Sequence, residues 1–388
     1  MATILQQFKT WIFESRSFVF SWYSKNGNKT QEPTKSLVEL PPSIRQELVA
    51  AIDKLPDNPS DVEAIRTNID KAFEEWRDCP TSVNNSIVIL TSPVMVVSKA
   101  TIESIEQWSK SKQVRVRLLP WNDRPVEPDS IQPKLQQYLN RQPAENAEEQ
   151  VEIVVIPNLS WCFLRSMDGL DGIDYLQKML LHDAKRFWIV AAGQITWDYL
   201  NSITDLEADC GRVFPLPKLN GEDLQQWLQP VVEQLRISFT NSGLESKILD
   251  GDKDVKSSYF EDLASVSKGV SVIALHAFLA SVSYEPPDET EEEEGVVRAE
   301  SPKLPNLPTL ESMDHYILYF ILLHGDITLS ALAHSIRDRE SKIRKHIRFL
   351  REEGLVEEAG ETFKVNPIYY PKLKQELIDN NFVIKERE

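Results

Sequence analysis

Between residues 86 and 216 five short apolar stretches alternate with longer amphipathic ones. This alternation limits the fold more than any other feature of the chain. The strand candidates are Ser86–Thr91, Val114–Leu119, Glu152–Ile156, Phe187–Ala192 and Arg212–Leu216. Each is short and rich in β-branched or aromatic residues. Most are followed by a helical pattern, as at Thr101–Lys110 and Asp171–Leu181. Strands covered on both faces by crossover helices read as unbroken apolar runs. The expected fold is α/β, with a mainly parallel five-stranded sheet.

Helical spacing extends to both sides. Residues 42–79 form a helical region split by Pro56-Asp57-Asn58-Pro59. Its second half, Asp61 to Trp76, has Ser60 as N-cap and Ile65, Ile69, Phe73 and Trp76 on one face. Downstream, Asn220-Gly221-Glu222-Asp223 opens a helix through Leu224, Trp227, Leu228 and Val231. Further helices cover Tyr259–Val266 and, after Lys268-Gly269, Val270 to about Val282. The acidic run Glu285–Glu294 and the prolines Pro302 to Pro308 read as a disordered linker. Three more helices follow at Ser312–Leu323, Thr328–Ser335 and Glu340–Glu353, then a hairpin over Gly354–Val365. Three helices and a hairpin make the winged-helix pattern. The expected domains are an aromatic N-terminal segment and linker (1–35), the α/β domain (36–218), a helical subdomain (219–284), the linker (285–308) and a winged helix (309–388).

The stretch Asn85–Ile102 reads as strand, loop and helix start, where a phosphate-binding loop would carry G-x-x-x-x-G-K-[ST]. The lysine survives as Lys99, but the glycine positions fall on Pro93 and Ser98 and the Mg²⁺ hydroxyl on Ala100. Pro93 has no N–H to offer a phosphate, and Val94, Val96 and Val97 resist positive φ. Three further stretches follow in order: Val151–Asn158, Phe187–Gln194 and Lys268–Leu275. Together, over roughly 42–388, the chain resembles AAA+ and related P-loop ATPases of the origin-recognition type. The resemblance implies a P-loop-type five-stranded parallel sheet, a helical lid and a C-terminal winged helix. It also makes the departures informative. The Walker B carboxylate positions are Pro157 and Asn158, and the sensor-2 site reads Val270-Ser271-Val272. Arg212 stands where a trans-acting arginine finger can occur, although it reads as a surface arginine. The resemblance with these losses implies a pseudo-ATPase: no enzyme, no nucleotide cofactor and no metal.

Net charge and side-chain chemistry bound the partners. A net charge of −17 removes any general attraction to a phosphate backbone. Three dispersed cysteines, Cys79, Cys162 and Cys210, indicate neither disulfides nor a zinc cluster and suit a reducing cytoplasm. No apolar run reaches the roughly 18–20 residues that span a bilayer. Asp168, Asp171 and Asp174 are spaced as helix-start acids rather than as metal ligands. Phe8, Trp11, Phe13, Phe18, Phe20 and Trp22, interleaved with Lys9 and Arg16, have three readings. They can strap onto their own domain, dock into a partner, or lie at a membrane surface as part of a peripheral protein. Arg337, Arg339, Lys342, Arg344, Lys345 and Arg348 give the third C-terminal helix a basic face for a protein or nucleic acid. From Glu311 to Glu388, however, 12 Lys and Arg are set against 14 Asp and Glu, and Glu357, Glu358 and Glu361 would make the wing repel phosphates. The expected function is a protein-interaction scaffold or adaptor. A DNA-binding regulator and an ATPase with an atypical site are the alternatives, and oligomerisation is open.

Overall fold

The structure is a computed structural model that describes residues 40–79, 84–95, 98–121, 123–140, 151–166, 168–183, 185–239, 251–286, 295–382 and 384. In chain order it contains α1 (Pro42–Lys54), α2 (Pro59–Asp78), β1 (Ser86–Thr91), α3 (Ser98–Lys112), β2 (Arg115–Leu118), α4 (Ile131–Leu139) and β3 (Glu152–Ile156). A 3₁₀ turn at Leu159–Cys162 precedes α5 (Asp171–His182), β4 (Arg186–Gly193), α6 (Gln194–Thr204), α7 (Leu206–Asp209) and β5 (Arg212–Pro215). Then come α8 (Gly221–Leu235), β6 (Ser238–Phe239), α9 (Gly251–Ser267), α10 (Ser271–Ser281), β7 (Val282–Glu285) and β8 (Val296–Ala299). The chain continues with α11 (Ser312–His324), β9 (Ile327–Thr328), α12 (Leu329–Ile336), α13 (Glu340–Glu352), β10 (Val356–Ala359), β11 (Thr362–Val365) and α14 (Tyr370–Asp379).

The five expected strands form one sheet in the order β2-β3-β4-β1-β5. Every pairing in it is parallel. β1 and β3 are buried along their whole length, as strands covered on both faces must be. Parallel neighbours need crossovers, and the intervening helices supply them. Phe73 and Trp76 of α2 pack on Phe187 of β4 at ring distances of 5.5 Å, which fastens one covering helix to the sheet. No helix among the described residues is long and apolar enough to cross a membrane.

The chain divides into two compact units whose boundaries differ from the expected domains. One comprises Asp61–Leu216, Pro308–Asn366 and Lys374–Glu388, so the sheet and the C-terminal helices form a single unit. The other joins Pro217–Leu307 to the chain up to Ser60 and to Pro367–Leu373. Helix α1 therefore leaves the α/β domain expected for it. Its Leu48, Ile52 and the following Leu55 enter the apolar core of α8, α9 and α10 with Leu228, Val231, Phe260 and Phe278. Trp227 Nε1 donates to the Pro56 carbonyl at 2.9 Å, so the proline-bounded break seats an indole of α8.

The stretch read as a disordered linker is also corrected. Within it β8 pairs antiparallel with β7 and parallel with β6. Val297 and Ala299 turn into the core, and Pro302 and Pro305 are buried. The acidic run masked this strand, because charge density says little about the few apolar residues beside it. The run itself, at 287–294, lies outside the described residues.

In the C-terminal part, α11, β9, α12, α13 and the β10–β11 hairpin follow in the order expected of a winged helix. Their sheet runs β10-β11-β9. Thr328 caps α12, its Oγ1 accepting from the Ala331 N–H.

Candidate functional site

In a parallel α/β sheet, ligands bind outside the carboxyl ends of the strands. In this chain that edge is built by Thr91 at the end of β1 with Ser92-Pro93 after it, Pro157-Asn158 after β3 and Gly193 at the end of β4. Thr91 lies in register with Gly193. The two strand ends touch closely, since a Cβ on Gly193 would meet Pro93 Cα at 3.4 Å. The turn after β1 closes with the Met95 N–H on the Ser92 carbonyl at 2.9 Å. Pro93 is buried in it, and Ser98, Lys99 and Ala100 form the first turn of α3. Pro157 is buried. The Asn158 side chain accepts from the Ser160 N–H at 3.0 Å and so caps the 3₁₀ turn.

The carboxyl ends of β3 and β4 receive the end of α11. The last carbonyls of a helix have no partners within it, and side chains from the sheet edge supply them. Thr196 Oγ1, in the first turn of α6, donates to the Leu323 carbonyl at 2.6 Å. Ser160 Oγ donates to the His324 carbonyl at 2.7 Å. Arg124, between β2 and α4, reaches both sides. Its Nη2 donates to the carbonyls of Ser160 at 2.8 Å and His324 at 3.2 Å, and its Nη1 to that of Asp326 at 3.1 Å. Its Nε donates to the Phe163 carbonyl at 2.8 Å. Trp161 Nε1 donates to Asp326 Oδ1 at 2.9 Å. Arg165 adds a bond to the Ser335 carbonyl at 2.8 Å and stacks 4.8 Å above Phe320.

The charges in this seam are shifted by their surroundings. Burial lowers the Arg124 guanidinium to about 10, against the pull of Asp326, Cys162 and Asp123. Burial raises the Cys162 thiol above its usual range. Burial first, then Asp326, raises the Asp123 carboxyl. Nothing in the local pattern marks Arg124, Ser160, Thr196 or His324: Ser160 and Thr196 meet carbonyls 164 and 127 positions away, and the partners of Arg124 lie 36 to 202 positions away.

The other predicted site residues are distributed as follows. Arg212 pairs with Glu75 at 3.2 Å on the surface, as a surface arginine would. Asp171 and Asp174 occupy the first turn of α5. Among the described residues no three His, Cys, Asp or Glu side chains gather as a metal-ligand set. Phe8, Trp11, Phe13, Phe18, Phe20 and Trp22 lie outside the described residues.

On α13 and its lead-in, Arg337, Arg339, Lys342, Arg344, Lys345 and Arg348 are all exposed. Arg337 closes α12 in the left-handed region, and Arg339 is the N-cap of α13. Three of the six pair along the helix: Lys342 with Asp338 at 2.6 Å, Arg344 with Glu340 at 3.8 Å and Arg348 with Glu352 at 2.8 Å. Arg351 crosses to Glu358 at 2.6 Å. Of the three acidic residues Glu357, Glu358 and Glu361 of the β10–β11 hairpin, Glu357 does not face solvent. It is 4% exposed, and both its carboxylate oxygens lack a hydrogen-bond partner among the described residues.

No family model matches the chain, and no curated protein does. Solved structures do. The ORC2 protein of Aeropyrum pernix, in ADPNP–ADP complexes, is 13% identical over 81% of this chain and 92% of that one, with a TM-score of 0.34. Cdc6p from Pyrobaculum aerophilum is 13% identical over 85% and 96%, with a TM-score of 0.31. The RuvB Holliday junction branch migration motor of Thermotoga maritima is 14% identical over 80% and 94%, with a TM-score of 0.29. The expectation that the chain is not an enzyme is corrected here: one of the structures it matches was solved as ADPNP–ADP complexes, and altered motifs alone do not establish loss of activity. Each of these matches extends over 80% or more of the chain.

Proposed function

We propose that the chain is a protein-interaction scaffold on an AAA+-type fold, which grips a partner through the exposed face of α13. The observation that carries this reading is the mixed charge of that face. Lys342, Arg344, Arg348 and Arg351 each have a carboxylate within 4 Å. A helix laid against a phosphate backbone works best with its cations free. Exposed pairs of this kind contribute about 0–1 kcal/mol and exchange readily for a partner's charges. The face then suits a protein surface that presents carboxylates to Arg337, Arg339 and Lys345. These three have no ion pair among the described residues.

The second reading is duplex DNA. Burial of Glu357 favours it, because the wing then presents fewer carboxylates to a phosphate backbone than its sequence suggests.

One experiment separates them. The chain and its Arg337→Glu, Arg339→Glu, Lys345→Glu variant are used to capture partners from the native cell and are also passed over duplex DNA in a salt series. A protein that co-purifies with the unchanged chain and is lost with the variant supports the scaffold. Retention on DNA that falls steeply with salt and vanishes in the variant favours the regulator.

A further inference from the structure

His324 ends α11 and is fully buried in the seam at the carboxyl ends of β3 and β4. Its ring centre lies 5.0 Å from that of Phe163. Its Nε2 is 3.5 Å from Ser335 Oγ on α12, and its Nδ1 has no partner among the described residues. The cations facing it are Arg124, from the segment after β2, and Arg165, from the segment after the 3₁₀ turn. Asp326 and Asp123, the carboxylates beside Arg124, are engaged with other groups, and the buried Asp198 of α6 interacts with Tyr319 of α11. Asp326 accepts from Trp161, and Asp123 interacts with Asp326, Lys134 and Arg124.

We propose that this seam is an acid-opened latch, in which a proton taken up by His324 releases the end of α11 from the carboxyl ends of β3 and β4. A neutral imidazole fits the space it occupies. An imidazolium there would be a third cation beside two guanidiniums, cut off from water, with no acceptor at Nδ1 and only the Ser335 hydroxyl at 3.5 Å from Nε2. Burial first, then Arg124 and Arg165, hold the ring well below the usual histidine range. Once released, the ring titrates near its ordinary pKa of about 6.5. The released form thus binds the proton that the docked form refuses. Docking is at full strength above the ordinary histidine range and weakens as the pH falls through it. For one linked proton the ratio of released to docked form rises about tenfold per pH unit below that range. The latch is independent of how the α13 face is used.

The chain carries its own reporters. Cys162 is buried in the turn between Trp161 and Phe163, Cys210 is buried next to β5, and Cys79 is exposed. The full-length protein is treated with 2,2′-dithiodipyridine, which reacts with thiols in mild acid, from pH 7.5 to pH 5. Labelling of each cysteine is followed by mass spectrometry and normalised to Cys79. Below about pH 6.5, Cys162 is expected to label about tenfold faster per pH unit while Cys210 stays protected. In His324→Gln this acceleration disappears. Should that variant not fold, His324→Leu keeps an apolar contact with Phe163 and serves the same purpose. A flat Cys162 rate down to pH 5 in the unchanged protein overturns the latch. So does an acceleration that survives loss of His324, which would assign it to groups such as Asp123. Parallel exposure of Cys162 and Cys210 also overturns it, because that is unfolding.

Discussion

Arg124 Nη2 and the main-chain carbonyl of His324 meet at 3.2 Å although 200 positions separate them in the chain. The same guanidinium also holds the carbonyls of Ser160, Phe163 and Asp326. One side chain therefore ends a helix and fixes the segment after β3.

Arg124→Met is expected to cost about 2–4 kcal/mol, because it removes the donor shared by the Ser160, Phe163 and Asp326 carbonyls and leaves that of His324 to Ser160 Oγ and the Asp326 N–H. Arg124→Lys should recover less than half of that, since a single ammonium cannot span the fork of acceptors. Urea denaturation measures both. A methionine variant within about 0.5 kcal/mol of the parent would remove Arg124 from the centre of the seam.

Glu357 sets a pH dependence of the opposite sign to the histidine's. Burial pushes its carboxyl up to about 8, against a smaller lowering by Lys364 across the hairpin. The folded state therefore holds a proton that the unfolded state gives up. This contribution is present below the ordinary carboxylate range and is lost as the pH rises toward about 8. Glu357→Gln should flatten the fall in melting temperature between pH 5 and pH 8. An unchanged slope would show that the carboxylate reaches water.

At the opposite end of the strands, Glu152 lies in register with Arg115 on β2 and Arg186 on β4. Arg115, Arg117 and Arg186 all reach its carboxylate, at 3.3, 2.8 and 2.7 Å. Glu152→Ala removes the carboxylate that the three arginines share, leaving Arg186 with Asp183, and is expected to cost about 3–5 kcal/mol. Combining it with Arg117→Met should restore part of the loss. A double variant that loses as much as the two single changes added together would mean that the charges do not couple.

Gly269 closes the turn between α9 and α10 at φ +71°. An added Cβ would meet the Leu219 nitrogen at 2.8 Å. Gly269→Ala should therefore lower stability by about 1–3 kcal/mol through backbone strain alone. A melting temperature within a degree of the parent would show that this turn relaxes freely.

The features legible in the sequence were those written in local pattern. β1 and β3 fall where their β-branched runs place them. Asn158 is visible as a departure, but its work as a cap of the 3₁₀ turn is not. Arg124 sits between Pro120 and Pro125 in a segment with no periodicity, and its partners come from the segment after β3 and from the end of α11 and just beyond it, so nothing nearby marks it. Glu357 reads as solvent-facing because two acids follow a valine, whereas Val356 and Glu357 are both buried. Helix α1 looked like the start of the α/β domain, since an apolar face says that it packs and not where.

The handover of α11's last carbonyls to Thr196, Ser160 and Arg124 has a consequence for biosynthesis. Thr196 and Leu323 are 127 positions apart. As the chain leaves the ribosome, all five strands of the sheet are available well before the helix that closes its edge. In that interval the two hydroxyls and the guanidinium stay hydrated, and the apolar rings of Trp161 and Phe163 are uncovered. Contacts of such long range form late and slowly. A nascent chain halted before residue 312 would therefore be the form most in need of a chaperone.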